Sequence, residues 1–156
     1  MQSANVGDSE ALGAELGIKG HAATGFRWTA SYAFVVTTDH TTLVTGPITT
    51  NPVNYAHAVP QHVVTLGLGY AHEPWEADVI GRWQSTYIDY QPTGVGEYLQ
   101  PVEIGNYLVL NARVGYRVTD NLLVSVVAQQ FNAASLVQTA GPPVERRMIG
   151  MVTIRF

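Results

Sequence analysis

The chain has 156 residues, 46% of them hydrophobic and only 13% charged, about half the charged share of a soluble domain, in a length that suits one domain. A net charge of −4 speaks against a nucleic-acid binder, which needs a basic patch. The absence of cysteine excludes a disulfide framework and thiolate metal sites. Residues 1–10 are polar and acidic, with no basic residue ahead of an apolar run, so no secretory signal is read there. The best apolar run, 122–128, falls far short of the ~18 residues that a helical span needs. A membrane location would therefore require a β-barrel, the other structure that satisfies its own backbone.

Seven strands are predicted from a period-two alternation of apolar and polar residues. The first covers 11–19, with Leu12, Ala14, Leu16 and Ile18 on one face and Glu15 and Lys19 on the other. After the turn 22–25 the second, 26–36, sets Phe26, Trp28, Ala30, Tyr32 and Phe34 against Arg27, Thr29 and Ser31. Residues 39–61, rich in Thr, Pro and Asn, read as a long loop. The third strand, 62–71, carries Val64, Leu66, Leu68 and Tyr70 on one face, with Gly67 and Gly69 opposite. A tight turn at His72-Glu73-Pro74 leads to the fourth, 75–87, where Trp75, Ala77, Val79 and Trp83 oppose Glu76, Asp78 and Arg82.

A second long loop, 89–105, precedes the fifth strand, 107–118, whose Leu108, Leu110, Val114 and Tyr116 oppose Asn111, Arg113 and Arg117. Thr119-Asp120-Asn121 turns into the sixth strand, 122–130. A third long loop, 132–143, precedes the last strand, 146–156, with Met148, Gly150, Val152, Ile154 and Phe156 on one face and Arg147 and Arg155 on the other.

The expected fold is therefore an all-β antiparallel meander of about seven strands. Connections alternate short and long, as in membrane barrels with short periplasmic turns and long outer loops. Aromatic residues gather near both sets of strand ends, as in interfacial girdles. The charges fall on the face opposite the aromatics, where a wet lumen would solvate or pair them. A charge on the lipid face near the midplane would cost ~2–4 kcal/mol. Glu15, Lys19, Arg27, Glu76, Asp78, Arg82, Arg113, Arg147 and Arg155 are thus expected to face the lumen. Gly13, Gly17, Gly67, Gly69 and Gly115 on that face would leave space or admit another element.

Three stretches carry a family resemblance. Residues 106–116, an alternating strand ending Gly115-Tyr116, are followed by 122–132, which ends Gln130-Phe131-Asn132 where the family usually has Asn-Leu-Phe-Asp. Gly141-Pro142-Pro143 through Arg146-Arg147 then precedes a strand ending in Phe156. Residues 54–70 and Gly13-x-Glu15 fit as well. Together they resemble the C-terminal β-barrel of TonB-dependent outer-membrane receptors. The resemblance implies a plugged barrel of 22 strands, of which 1–156 would be the C-terminal segment, with the plug absent. It implies outer-membrane lipid, the rest of the barrel and the plug as partners, with TonB reached only through that plug. It further implies that Val152, Ile154 and Phe156 serve as a barrel-assembly signal for the insertion machinery. The implied function is TonB-coupled uptake of an iron chelate or other large nutrient. A structural or adhesive barrel without TonB coupling and a soluble carbohydrate-binding β-sandwich are the alternatives.

No enzymatic chemistry is read in the chain. His57 and His62 lack a metal-ligand spacing, and Glu76 with Asp78 fits a lumenal charge ladder better than an acid–base pair. Gly94-Val95-Gly96 lacks the strand–helix setting of a phosphate loop. No catalytic residue, cofactor or metal is expected. The loop aromatics Tyr55, Tyr90 and Tyr98 are the candidate ligand contacts at the outer mouth.

Overall fold

A computed structural model describes residues 7–41, 55–92 and 99–156. Its main body is one antiparallel sheet of seven strands: β1 (Gly7–His21), β2 (Phe26–Thr41), β3 (His62–His72), β4 (Trp75–Gln84), β7 (Tyr107–Thr119), β8 (Leu122–Gln129) and β11 (Arg147–Ile154), paired in that order. Each strand pairs with its neighbour in the chain's meander, as the alternation predicts. β3 and β4 have 11 and 10 residues, close to the ~9–11 that a tilted strand needs to cross a bilayer.

The sheet differs from expectation at its outer end, where the long connections lie. The fourth strand stops at Gln84, and Tyr87 opens a separate hairpin, β5 (Tyr87–Pro92) with β6 (Leu99–Ile104). The second long loop is thus partly β-structure. Tyr87, Ile88 and Tyr90 of β5 and Val102 and Ile104 of β6 favour extended backbone. In the third loop two short segments, β9 (Ser135–Leu136) and β10 (Val144–Glu145), pair with each other. β1 and β2 run on beyond the start of β3 as a two-stranded arm, from Gly13↔Val35 to Gly7↔Thr41, roughly 20 Å at strand rise. The first two strands are therefore longer than predicted.

The two faces are unequal. Leu12, Leu16, Leu66, Leu68, Val126, Met148 and Val152 all stand exposed on one face, Leu16 at 68% and Met148 at 73%. No second layer covers them among the described residues. The buried hydrophobic residue is instead Ile104, 1% exposed, under the outer loops. A soluble sandwich would bury such a face against a second sheet, so this sheet is organised for an apolar solvent. Aromatic rings mark its margins: Trp75 meets Tyr116 edge-on at 4.8 Å near the short turns. Near the long loops the Tyr32 hydroxyl lies 2.8 Å from His62 Nδ1, and Phe34 packs on the same imidazole.

The first short turn depends on one glycine. Gly25 has φ of +84° and its carbonyl accepts a hydrogen bond from Ala71 N at 2.9 Å. A Cβ there would run into the Ala71 carbonyl oxygen. Gly25→Ala is expected to cost at least about 1 kcal/mol from the left-handed backbone alone. Denaturant unfolding in detergent micelles, followed by tryptophan fluorescence, checks this.

Candidate functional site: the charged face and the outer loop platform

Side chains alternate across a strand, so Glu15, Lys19, Arg27, Glu76, Asp78, Arg82, Arg113, Arg147 and Arg155 share the face opposite the exposed apolar one. Pairing places Arg27, Gly69, Asp78 and Arg113 in one cross-strand row. Arg27 Nη2 lies 2.5 Å from Asp78 Oδ1, and Arg113 Nη1 lies 3.6 Å from Asp78 Oδ2 and 3.2 Å from Glu76 Oε2. Arg117 Nη2 continues the ladder to Glu76 Oε1 at 3.2 Å, and its Nη1 reaches Glu73 at 3.7 Å. Three guanidinium groups and three carboxylates thus alternate from β2 to β7, with Glu73 in the adjoining turn.

Arg27 and Asp78 are separated by a whole strand, yet they touch. Gly69 makes this possible. A Cβ on Gly69 would lie 2.5 Å from Arg27 Nε and 2.6 Å from Asp78 Oδ1. The missing side chain gives the two ions a passage over β3. At Gly67, two residues earlier on β3, the Thr29 side chain leans over the strand, and a Cβ there would lie 2.6 Å from Thr29 Oγ1. These glycines therefore do not leave open space on the face; neighbouring strands fill it. Gly17, with nothing near its Cβ position, is open as expected.

The outer loops form a second cluster, built mostly from hydrogen bonds between neutral groups. Gln130, 2% exposed, sits in the left-handed region at φ 52°. Its N–H donates to Asn111 Oδ1 at 2.9 Å, and its Nε2 donates to Val144 O at 2.7 Å. Its Oε1 accepts from Gln138 Nε2 at 2.7 Å. Asn132 ties the same loop to β7, accepting from Leu110 N at 2.9 Å and donating to Leu108 O at 2.7 Å. The third loop is then bound to the β5–β6 hairpin. Tyr87 donates to Gln138 O at 2.5 Å, and Asp89 Oδ2 accepts from Ala140 N at 2.6 Å. Burial, with Tyr107 and Asp89 nearby, pushes the Tyr87 phenol above its ordinary range, against the opposing pull of Arg82. The hydroxyl therefore stays a donor.

Of the expected ligand contacts, Tyr90 lies in β5 with its N–H directed to Asp89 Oδ1 at 2.8 Å. Tyr55 opens a short 3-10 turn, Tyr55–His57; its side chain and all of Tyr98 lie outside the described residues. Val152 and Ile154 lie on β11, and Phe156 follows it, fully exposed. Sequence reading missed Glu73 and left Arg117 out of the ladder. The signal for Arg117 was available, since it follows Arg113 by four residues on one strand and so shares its face. The loop bonds of Tyr87, Asp89, Gln130 and Asn132 had no such signal, because they join residues up to 51 positions apart. Among the described residues no group of His, Asp and Glu is arranged to hold a metal.

An antiparallel meander with an apolar belt on one face, a charge ladder on the other and structured loops at one end is the wall of an outer-membrane-type β-barrel. Residues 1–133 match the family model for the TonB dependent receptor-like β-barrel, and the chain belongs to that family, whose members are transport receptors. Solved structures agree in fold. The pyoverdine outer membrane receptor FpvA of Pseudomonas aeruginosa PAO1, bound to pyoverdine, superposes with a TM-score of 0.72 at 16% identity, over 95% of this chain and 22% of its own. The ferric-catecholate import receptor Fiu of E. coli K12 gives 0.72 at 20% identity, over 96% and 21%. The copper transporter OprC gives 0.63 at 18%, over 97% and 24%. The chain thus spans about a fifth to a quarter of the length of these receptors. No curated protein matches the sequence.

The geometry of both clusters can be tested by substitution. In a double-mutant cycle of Arg27→Gln and Asp78→Asn, the coupling should be about 0.5–1 kcal/mol, as for half-exposed ion pairs. It should fall to near zero in a Gly69→Ala background, where the methyl group displaces the Arg27 side chain. Gln130→Ala should release the third loop at a cost of about 1–3 kcal/mol, because buried partners are left unpaired. Hydrogen exchange of the amides of 131–146 should then accelerate while those of β3 and β4 stay unchanged.

Proposed function

We propose that residues 1–156 are a single stretch of outer-membrane barrel wall with its outer loops. They would belong to a receptor that imports an iron chelate or another large nutrient with energy passed through TonB. The observation that carries the reading is the division of the sheet into an uncovered apolar face and a face holding a continuous ion ladder. In a barrel the first face meets lipid and the second meets the lumen. FpvA and Fiu, described with pyoverdine and with ferric catecholate, support an iron chelate as ligand class; OprC, a copper transporter, keeps metal import in general within the reading.

On this reading the chain resides in the bacterial outer membrane, and TonB acts through a plug supplied from outside residues 1–156. Ligand contacts come from the outer end, through Tyr55, Tyr90 and Tyr98. The lumenal charges Glu15, Arg27, Glu76, Asp78, Arg82, Arg113 and Arg147 line the passage. Val152, Ile154 and Phe156 present the final strand to the insertion machinery.

Fractionation tests the location. The protein is expected in the outer-membrane fraction and to require detergent for extraction; a monodisperse protein without detergent overturns the reading. Deleting Phe156 is expected to lower the folded, membrane-inserted fraction several-fold by heat-modifiable gel mobility. Unchanged levels would remove the assembly role and leave Phe156 as a rim residue.

A further inference from the structure

Beside the ion ladder the charged face is hollowed. A concavity of about 570 Å³ opens over β1 to β4, near the first short turn. Its bottom is β3, which has no side chain at Gly67 and Gly69; Thr29 and Arg27 lean across those two positions from β2. Longer side chains border it on either side, Lys19 from β1 and Asp78 and Ile80 from β4. Its volume falls within the range of small-ligand sites, about 300–1,000 Å³.

The charges around this hollow do not balance. Lys19 stands opposite Thr29 in the β1–β2 register, and His21 stands opposite Arg27. Lys19 and Arg27 are therefore diagonal neighbours on one face, roughly 7–8 Å apart, and two long side chains at that spacing can meet at one point. Lys19 is exposed and has no ion partner among the described residues. Arg27 meets Asp78 through Nη2 alone, and Asp78 also holds Arg113 at 3.6 Å. Arg113 and Arg117 each meet two carboxylates, whereas Lys19 and Arg27 have one between them. The two cations repel each other, and an oxyanion set between them would relieve the repulsion. Lys19 offers a compact ammonium with rotatable donors, and Arg27 a planar fork that matches a carboxylate or phosphate edge. The Ile80 side chain gives the far wall an apolar surface.

We infer that this hollow is a binding site for a small solute bearing a carboxylate or phosphate group. The Lys19 ammonium and the Arg27 guanidinium hold that group, and the carbon body of the solute lies toward Ile80. The inference rests on the barrel-wall reading, in which this face lines the import passage. It gives that passage an anion station on its turn side, apart from the outer-loop contacts.

Lys19 is the only lysine of the chain, so the site carries its own probe. The full chain is folded in micelles of an uncharged detergent, and its amines are dimethylated with ¹³C, which keeps the lysine charge. The Lys19 methyl resonance, assigned by its loss in Lys19→Arg, is followed as succinate, inorganic phosphate or, at matched ionic strength, sodium chloride is added. A saturable shift is expected with succinate or phosphate and not with chloride, and the tighter of the two tells carboxylate from phosphate. Arg27→Gln should weaken binding about fivefold, as for the loss of one half-exposed ion pair. Asp78→Asn should tighten it, because Arg27 is released. Arg146→Gln, which removes the same charge at the long-loop end, should leave it unchanged. A shift that follows ionic strength alone overturns the inference, as does an affinity lowered equally by Arg27→Gln and Arg146→Gln. Hydrogen exchange of the β3 amides reports the wall in the same samples. Protected amides without saturable binding overturn the inference alone; unprotected amides overturn the barrel-wall reading together with it.

Discussion

Within lipid no water is present to satisfy a backbone N–H or C=O, so each must find a partner in protein. For strands this means a neighbour on both sides. The requirement governs β2, β3, β4, β7 and β8, which each have two neighbours in the sheet. It also accounts for the sequence's tolerance of exposed leucine and valine. A sheet whose backbone is fully paired can leave its side chains to the solvent, and here the solvent on one face is hydrocarbon. The period-two pattern follows directly, because each strand must present apolar groups outward at every second residue.

The other face has a different problem. Charges there gain from pairing, but neighbouring strands keep side chains in separate rows. Gly69 removes the obstacle between Arg27 and Asp78, so that carboxylate serves arginines from both sides. Asp78 and Glu76 then bind Arg113 together, and Arg117 extends the chain to Glu73. The network ties strands that share no backbone hydrogen bond, notably β2 and β4. A residue usually regarded as weakening a strand here allows contact across it.

Much of the wall was legible in the sequence because period two is a local property. The seven strands and their two faces follow from residues within reach of one another, such as Phe26, Trp28, Tyr32 and Phe34 alternating with Arg27, Thr29 and Ser31. The strand ends were less legible. Ser85 and Thr86 continue the alternation of β4, yet the regular ladder ends there: Ser85 N still donates to His62 O, but the Ser85 hydroxyl is what accepts from His62 N. The outer platform was not legible. Nothing near Gln130 in sequence announces a left-handed glutamine held by Asn111, Gln138 and Val144. A non-glycine residue in that region costs roughly 1–2 kcal/mol. The cost is offset only by bonds that exist after the loop has folded.

The two ends of the wall are consequently held by forces of different kinds. Near the short turns the ladder is ionic, with side chains 25–50% exposed, apart from the more open Glu73. It faces water, and salt screens it within about one Debye length, roughly 8 Å at physiological ionic strength. At the outer end the bonds are short, and most join neutral groups: tyrosine to carbonyl, glutamine to glutamine, asparagine to backbone. Salt barely alters such bonds, because they involve no net charge. The bonds of the long-loop end are therefore insensitive to ionic strength, while the ladder near the short turns responds to it. The division follows from where the sequence places its arginines and where it places its amides.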